Sequence, residues 1–155
     1  MYKEYLVYKK KCEAAQKIYD NIVSEKEELF RMTQPQGTDF SKEKVSGGEK
    51  NNAFDSYLIQ DEFKQLDDRL NIARSILEDR IRLLRLKEEQ LRHSHNPYDK
   101  AFVYRHLERK FVYQVAQKIS YSESHTFRML EKIAKDIKMI ENDSFDCDII
   151  YNVKM

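Results

Sequence analysis

The chain has 155 residues, about one domain's worth, and its 28 Lys and Arg against 27 Asp and Glu leave a formal net charge of +1. That balance excludes a uniformly basic coat for nucleic acid, so any such surface must be a local patch. With 35% charged residues, three Gly, two Pro and no Trp, but ten Tyr and eight Phe, the composition favours a helix-rich protein with an aromatic core.

The opening, Met1-Tyr-Lys-Glu-Tyr-Leu-Val-Tyr followed by three lysines, has its apolar residues ahead of its charges and no cleavage-type site. A secretory leader is therefore not expected, and the chain is expected in the cytoplasm. Tyr5, Tyr8, Cys12, Ala15, Tyr19, Ile22 and Leu29 fall on a three-four spacing that predicts one helix from about Lys3 to about Met32. Its tyrosines are read as core, not as a platform for stacking bases.

Residues 33–50 hold all three glycines (Gly37, Gly47, Gly48) and Pro35 amid Ser, Thr, Asp and Gln, which predicts a flexible loop. A second helix is expected from about Ala53 to about Arg92. Phe63, Leu70, Leu77, Leu84 and Leu91 recur every seventh residue, with Leu66 and Ala73 between them and Ile59 and Ile76 widening the stripe. A rod of ~39 residues is nearly 60 Å long at 1.5 Å per residue. It needs a partner helix along most of that length. The first helix, folded back as an antiparallel hairpin, is favoured over a second copy of the chain, and Arg80 and Lys87 at core positions weaken a parallel zipper. No apolar run approaches the ~20 residues of a membrane helix, so no membrane partner is expected.

His93-Ser-His-Asn-Pro97 ends the rod. Ser94 or Asn96 can cap the next helix, with Pro97 in its first turn. From there to about Ile140 the pattern is a helix-turn-helix. Val115, Ala116 and Ile119 face inward from a first helix, and Thr126, Met129 and Ile133 from a second that begins at Ser122. The fold class expected is all-α: a long, coiled-coil-like helical hairpin (1–95) followed by a helix-turn-helix (96–140) and an acidic tail (141–155). In that tail Ile149, Ile150, Tyr151 and Val153 could form a strand or dock on the body. Cys12 and Cys147 lack any CxxC spacing and read as reduced, partly buried thiols.

Charge is uneven along this last third. Asp99 to Lys135 holds eight Lys and Arg against four Asp and Glu, a net of +4, whereas Asp136 to Met155 carries a net of −3. In a helix-turn-helix the first turns of the second helix meet base edges in the major groove, while the first helix crosses the phosphate backbone. The candidate DNA-binding residues are Lys110, Tyr113, Gln114, Tyr121, Ser122, Glu123, Ser124, His125, Phe127, Arg128 and Lys132. Arg128 can read a guanine bidentately, and Ser124 or His125 can touch a base or a phosphate. Double-stranded DNA is thus the expected partner.

Other constellations point nowhere. His93 and His95 lack an acid or Cys to complete a metal shell. The pairs Asp67-Asp68 and Glu88-Glu89 lie on a solvated helix face. Gly47-Gly48 has no strand before it, and Ser46 and Ser122 have no nucleophile-elbow context. No enzyme activity, metal or cofactor is expected.

The run Tyr104-Arg-His-Leu-Glu-Arg-Lys-Phe-Val-Tyr-Gln-Val-Ala-Gln-Lys-Ile-Ser-Tyr-Ser-Glu-Ser124 resembles region 4 of sigma-70-type factors. More closely, it resembles the ArpU/RinA-type regulators of phage late-gene transcription. The shared features are an apolar pre-helix, an Ile/Val-Ala pair, a Tyr-Ser-Glu turn and a second helix with Arg128. Val45-Ser-Gly-Gly followed by a long helix extends the likeness to about residues 40–138. The resemblance implies a small sigma-like activator of late genes in a phage or related mobile element, working alongside bacterial RNA polymerase. Two positions depart from it: Arg109-Lys110 stands where the family often has a glycine-containing turn, and Thr126 replaces a common Val. The alternative reading is a helical interaction module that binds a polymerase subunit or a small protein inhibitor without touching DNA. Dimerisation through the rod is compatible with either.

Overall fold

The computed structural model describes residues 1–33 and 52–142, and there the chain is all-α. Helix α1 is Tyr2–Thr33 and α2 is Asn52–Arg92; together they are the helical hairpin. Helix α3, Pro97–Phe102, runs on into a π-helical turn, Val103–Leu107. Helices α4, Val112–Ile119, and α5, Glu123–Asn142, are the helix-turn-helix. The expected loop is shortened by Thr33, which still belongs to α1. The rest of that loop, the tail strand and Cys147 lie outside the described residues.

The chain divides into two compact units. One comprises residues 15–77, the other residues 1–14 with those from 78 onward. In the first unit Ala15 and Ile22 of α1 and Ala73 and Leu77 of α2 are buried, with Phe63 and Leu70 half-buried on the same seven-residue stripe. Small residues at such positions let two helices approach closely. Ion pairs Lys26–Asp67 and Arg69–Glu25 (3.1 Å) join the two antiparallel helices at the surface.

In the second unit the core gathers Tyr2, Tyr5, Leu91, Ala101, Phe102, Val103, Val115, Met129 and Ile133. Phe102 is its hub: Tyr2 stacks on it at 5.5 Å, Tyr5 meets it edge-on at 5.9 Å and His106 stacks at 5.0 Å. Partial loss of water against the Phe102 ring pushes the His106 imidazole below its ordinary value, with Arg105 and Lys9 acting in the same direction. Lys87, a cation at a core position of α2, lies 5.7 Å over the Tyr8 ring and pairs with Glu4 at 3.1 Å, so its stem is covered and its charge matched.

The second unit also buries a carboxylate. Asp99 is 2% exposed. It accepts the Tyr2 backbone N–H at 2.9 Å and the Ser94 hydroxyl at 2.7 Å, and the Met1 amino group lies 3.6 Å away. Of the two candidate caps, Asn96 caps α3: its side chain accepts the Tyr98 N–H at 2.9 Å, and Pro97 opens the helix. Ser94 is instead committed to Asp99. The start of α1 is tied to α5 as well. The Tyr2 hydroxyl donates to Asp136, and Lys3 pairs with Asp136 at 3.0 Å. Lys10 donates to the Ile140 and Glu141 carbonyls at 2.8 and 3.1 Å, capping the C-terminal end of α5.

Candidate nucleic-acid interface

The helix-turn-helix is built by two left-handed residues and two side-chain caps. Arg109, with φ of 55°, closes the π-helical turn; the Lys110 N–H then reaches back to the Tyr104 carbonyl at 2.9 Å. Glycine is the residue for which that conformation carries no Cβ penalty, and here an arginine adopts it. Helix α4 begins at Phe111, whose backbone N–H is accepted by the Gln114 side chain at 3.0 Å, one half of a capping box. It ends at Ser120, φ 60° and ψ 41°, with the Tyr121 N–H bonded to the Ala116 carbonyl at 3.1 Å. That is a Schellman-type stop made with serine.

Ser122 caps α5 as expected: its hydroxyl oxygen accepts the His125 N–H at 3.3 Å. The Thr126 hydroxyl donates to the Ser122 carbonyl at 3.0 Å, which satisfies a fully buried polar atom. Thr126 thus does what a valine there could not: it packs inward and locks the turn. Val115, Ala116, Met129 and Ile133 are buried, and Ile119 is half-buried.

The outward surface follows from this packing. Glu123, Ser124, His125, Phe127, Arg128, Glu131 and Lys132 are all exposed. Ser124 and Arg128, one turn apart, lie on the side of α5 opposite Thr126, Met129 and Ile133. Among the described residues Arg128 makes no ion pair or ring contact, so its guanidinium is available to a ligand. Tyr121 and His125 stack on each other at 4.9 Å and occupy one flank of this surface. Phe127 occupies the other.

The remaining candidates sit in other settings. Lys110 is half-buried, pairs with Glu108 at 2.7 Å and lies 5.0 Å over the Tyr104 ring. Gln114 is half-buried and engaged in the cap of α4. Tyr113 is exposed and stacks on Phe111 at 6.2 Å, at the start of α4. Lys132 is exposed with its ammonium 5.4 Å over the Tyr98 ring. The structure therefore groups Tyr121 to Arg128 around one turn, while Lys110, Tyr113 and Gln114 surround the beginning of α4.

Internal pairing changes the electrostatics of the segment. Asp99 is buried, Glu108 is matched by Lys110 and lies 3.8 Å from Arg92, and Glu131 is matched by Lys135 at 3.3 Å. Arg109 and Lys118, which are not among the sequence-derived DNA-binding candidates, are exposed and make no ion pair among the described residues. Lys118 could have been found from its place on α4 away from the inward Val115, Ala116 and Ile119. Arg109 could not, because its position depends on the left-handed turn. Both suit phosphate contacts of the kind that position a protein on a duplex.

Compared with protein-family models, with curated proteins and with solved structures, the chain matches none.

Proposed function

We propose that this protein is a sequence-specific DNA-binding transcriptional regulator whose helix α5 enters the major groove. The observation that carries the reading is the open turn of α5 bearing Ser124 and Arg128, set opposite its buried stripe. A helix presented in this way by a capped, close-packed first helix is the arrangement that helix-turn-helix proteins use to reach base edges. Lys118 and Arg109 would meet phosphates, and their contribution would make affinity fall with salt.

The likeness to ArpU/RinA-type regulators and to sigma-70 region 4 supports a more specific role. On that basis the protein activates late genes of a phage or related mobile element, in the bacterial cytoplasm and together with RNA polymerase. Genome-wide mapping of bound DNA in the native host tests this. Peaks upstream of packaging and lysis genes are expected, and a profile indistinguishable from the mock precipitation would overturn it.

A second reading draws on the unit of residues 15–77. Phe30, Met32, Tyr57, Leu58 and Ile72 are exposed there, and Val23, Phe30, Phe63 and Leu70 line an open groove of about 430 Å3. These apolar residues suit a helical interaction module for a polymerase subunit or a small inhibitor. Retention of such a partner after charge reversal of Arg128 and Lys132, with no DNA retained at low salt, would favour this reading over the first.

A further inference from the structure

We infer that Phe127 is a specificity determinant that contacts a thymine methyl group in the major groove, on a base pair neighbouring the one met by Arg128. The inference rests on the DNA-binding reading and adds to it the identity of a base.

Adjacent positions of α5 carry an inverted polarity. Thr126 is fully buried, while Phe127 is 62% exposed. Folding alone favours the opposite arrangement, since burying an aromatic ring removes far more apolar surface from water than burying a threonine. Thr126 has its own structural reason to be inside, the hydrogen bond to the Ser122 carbonyl. Phe111 and Tyr113, exposed as well, cover part of each other by stacking. Phe127 takes part in no ring stack among the described residues and lies in the first two turns of α5, beside the exposed Arg128.

The surroundings select the kind of ligand. Ser124, Arg128, Glu131 and Lys135 make the rest of this helix face polar and charged. With the Tyr121–His125 stack on the opposite flank, the Phe127 ring is not the contiguous apolar patch that a protein partner needs. It does fit an isolated apolar group set among hydrogen-bonding atoms. The major groove offers one such group, the C5-methyl of thymine, beside the acceptors and donors that a serine or an arginine can reach. Ser124, Phe127 and Arg128 stand at positions i, i+3 and i+4, so the three side chains are neighbours on one helical turn and can address adjoining base pairs.

Replacing thymine by deoxyuridine removes the methyl and leaves the hydrogen-bonding edges intact, which makes the test clean. Sites are first selected by the full-length protein from a pool of random-sequence duplexes. Affinity is then measured by fluorescence anisotropy for selected duplexes synthesised with each thymine in turn replaced by deoxyuridine. The wild type is expected to lose about fourfold at one thymine, the value of burying one methyl group. Phe127→Ala is expected to be indifferent to that replacement, and Phe127→Leu to retain the sensitivity. Because Phe127 is exposed, both variants are expected to match the wild type in circular dichroism.

Equal sensitivity of the wild type and Phe127→Ala at every thymine overturns the inference and leaves the DNA-binding reading standing. So does a wild type indifferent to every replacement. Unchanged DNA affinity of Phe127→Ala also overturns it and returns Phe127 to the surface available to a protein partner. Failure of the wild type to enrich any duplex overturns the inference and the DNA-binding reading together.

Discussion

The two compact units are built from the same two long helices yet are held by different means. Among the described residues of 15–77 the buried side chains are Ala15, Ile22, Ala73 and Leu77, with ion pairs along the surface. In the other unit three aromatic rings, several large aliphatic side chains and a buried, fully partnered carboxylate converge from α1, α2, α3, α4 and α5. A heptad stripe suffices to pair two helices. Holding α5 at a fixed angle to α4 takes a core with many directions of contact, because packed cores resist small displacements. The candidate reading turn belongs to the second kind of unit.

The largest contrast is expected from deleting the same side chain in each. Ile133→Ala, in the fully buried centre of the helix-turn-helix, is expected to cost about 4 kcal/mol and to abolish DNA retention. Ile22→Ala, in the two-helix unit, is expected to cost about 2 kcal/mol and to leave DNA retention intact. Urea unfolding and a gel shift on each variant check this, and a reversed order of stability would break the comparison.

Next is the buried carboxylate. Asp99→Ala leaves the Tyr2 N–H and the Ser94 hydroxyl without an acceptor, and is expected to destabilise by about 3 kcal/mol in the same urea assay. A loss below about 1 kcal/mol would mean that water reaches those groups and that the site is not the anchor described.

Acid sharpens the comparison by acting on the second unit through named groups. The His106 imidazole titrates below its ordinary value because the stack on Phe102 removes part of its water and Arg105 and Lys9 lie near, so the unfolded chain takes up its proton first. Stability is then lost as pH falls below about 6.5 and until the folded imidazole is itself protonated. Asp136 is held below the usual carboxylate range by the Tyr2 hydroxyl and then by Lys3. Its contribution is present above about pH 4 and disappears as pH falls through the depressed value. Melting temperature against pH is expected to show a decline from pH 6.5 that His106→Gln flattens, and a further one at lower pH that Asp136→Asn flattens.

Asp99 and Asp136 show what sequence could not tell. The periodic features were legible: the seven-residue stripe of α2, the three-four stripe of α1, the inward set Val115, Ala116, Thr126, Met129 and Ile133, and the cap at Ser122. All of these are local, written within a few turns of one helix. The burial of Asp99, the docking of Tyr2 on Asp136 and the capping of α5 by Lys10 join residues about 100 or more positions apart, and leave no mark in any window. The π-helical turn and the left-handed Arg109 are also invisible locally, because arginine carries no signal for positive φ. Nor does position along the chain show that Lys110 pairs with Glu108 over the Tyr104 ring, or that Gln114 caps α4.

The smallest effect is expected at the surface of residues 15–77. Lys26→Ala removes an exposed pair with Asp67 and is expected to change stability by less than about 0.5 kcal/mol. A loss of about 2 kcal/mol would show that the hairpin depends on its surface charges and not on its stripe.

On the proposed function, the turn of α5 carrying Arg128 reads DNA sequence. Fluorescence anisotropy of the wild type and Arg128→Ala, on a selected duplex and on its scrambled counterpart at equal salt, tests it most directly. Arg128→Ala is expected to weaken specific binding by about 1–3 kcal/mol while affinity for the scrambled duplex changes far less. Equal affinity of the wild type for both duplexes, or full retention of specificity by Arg128→Ala, would contradict it.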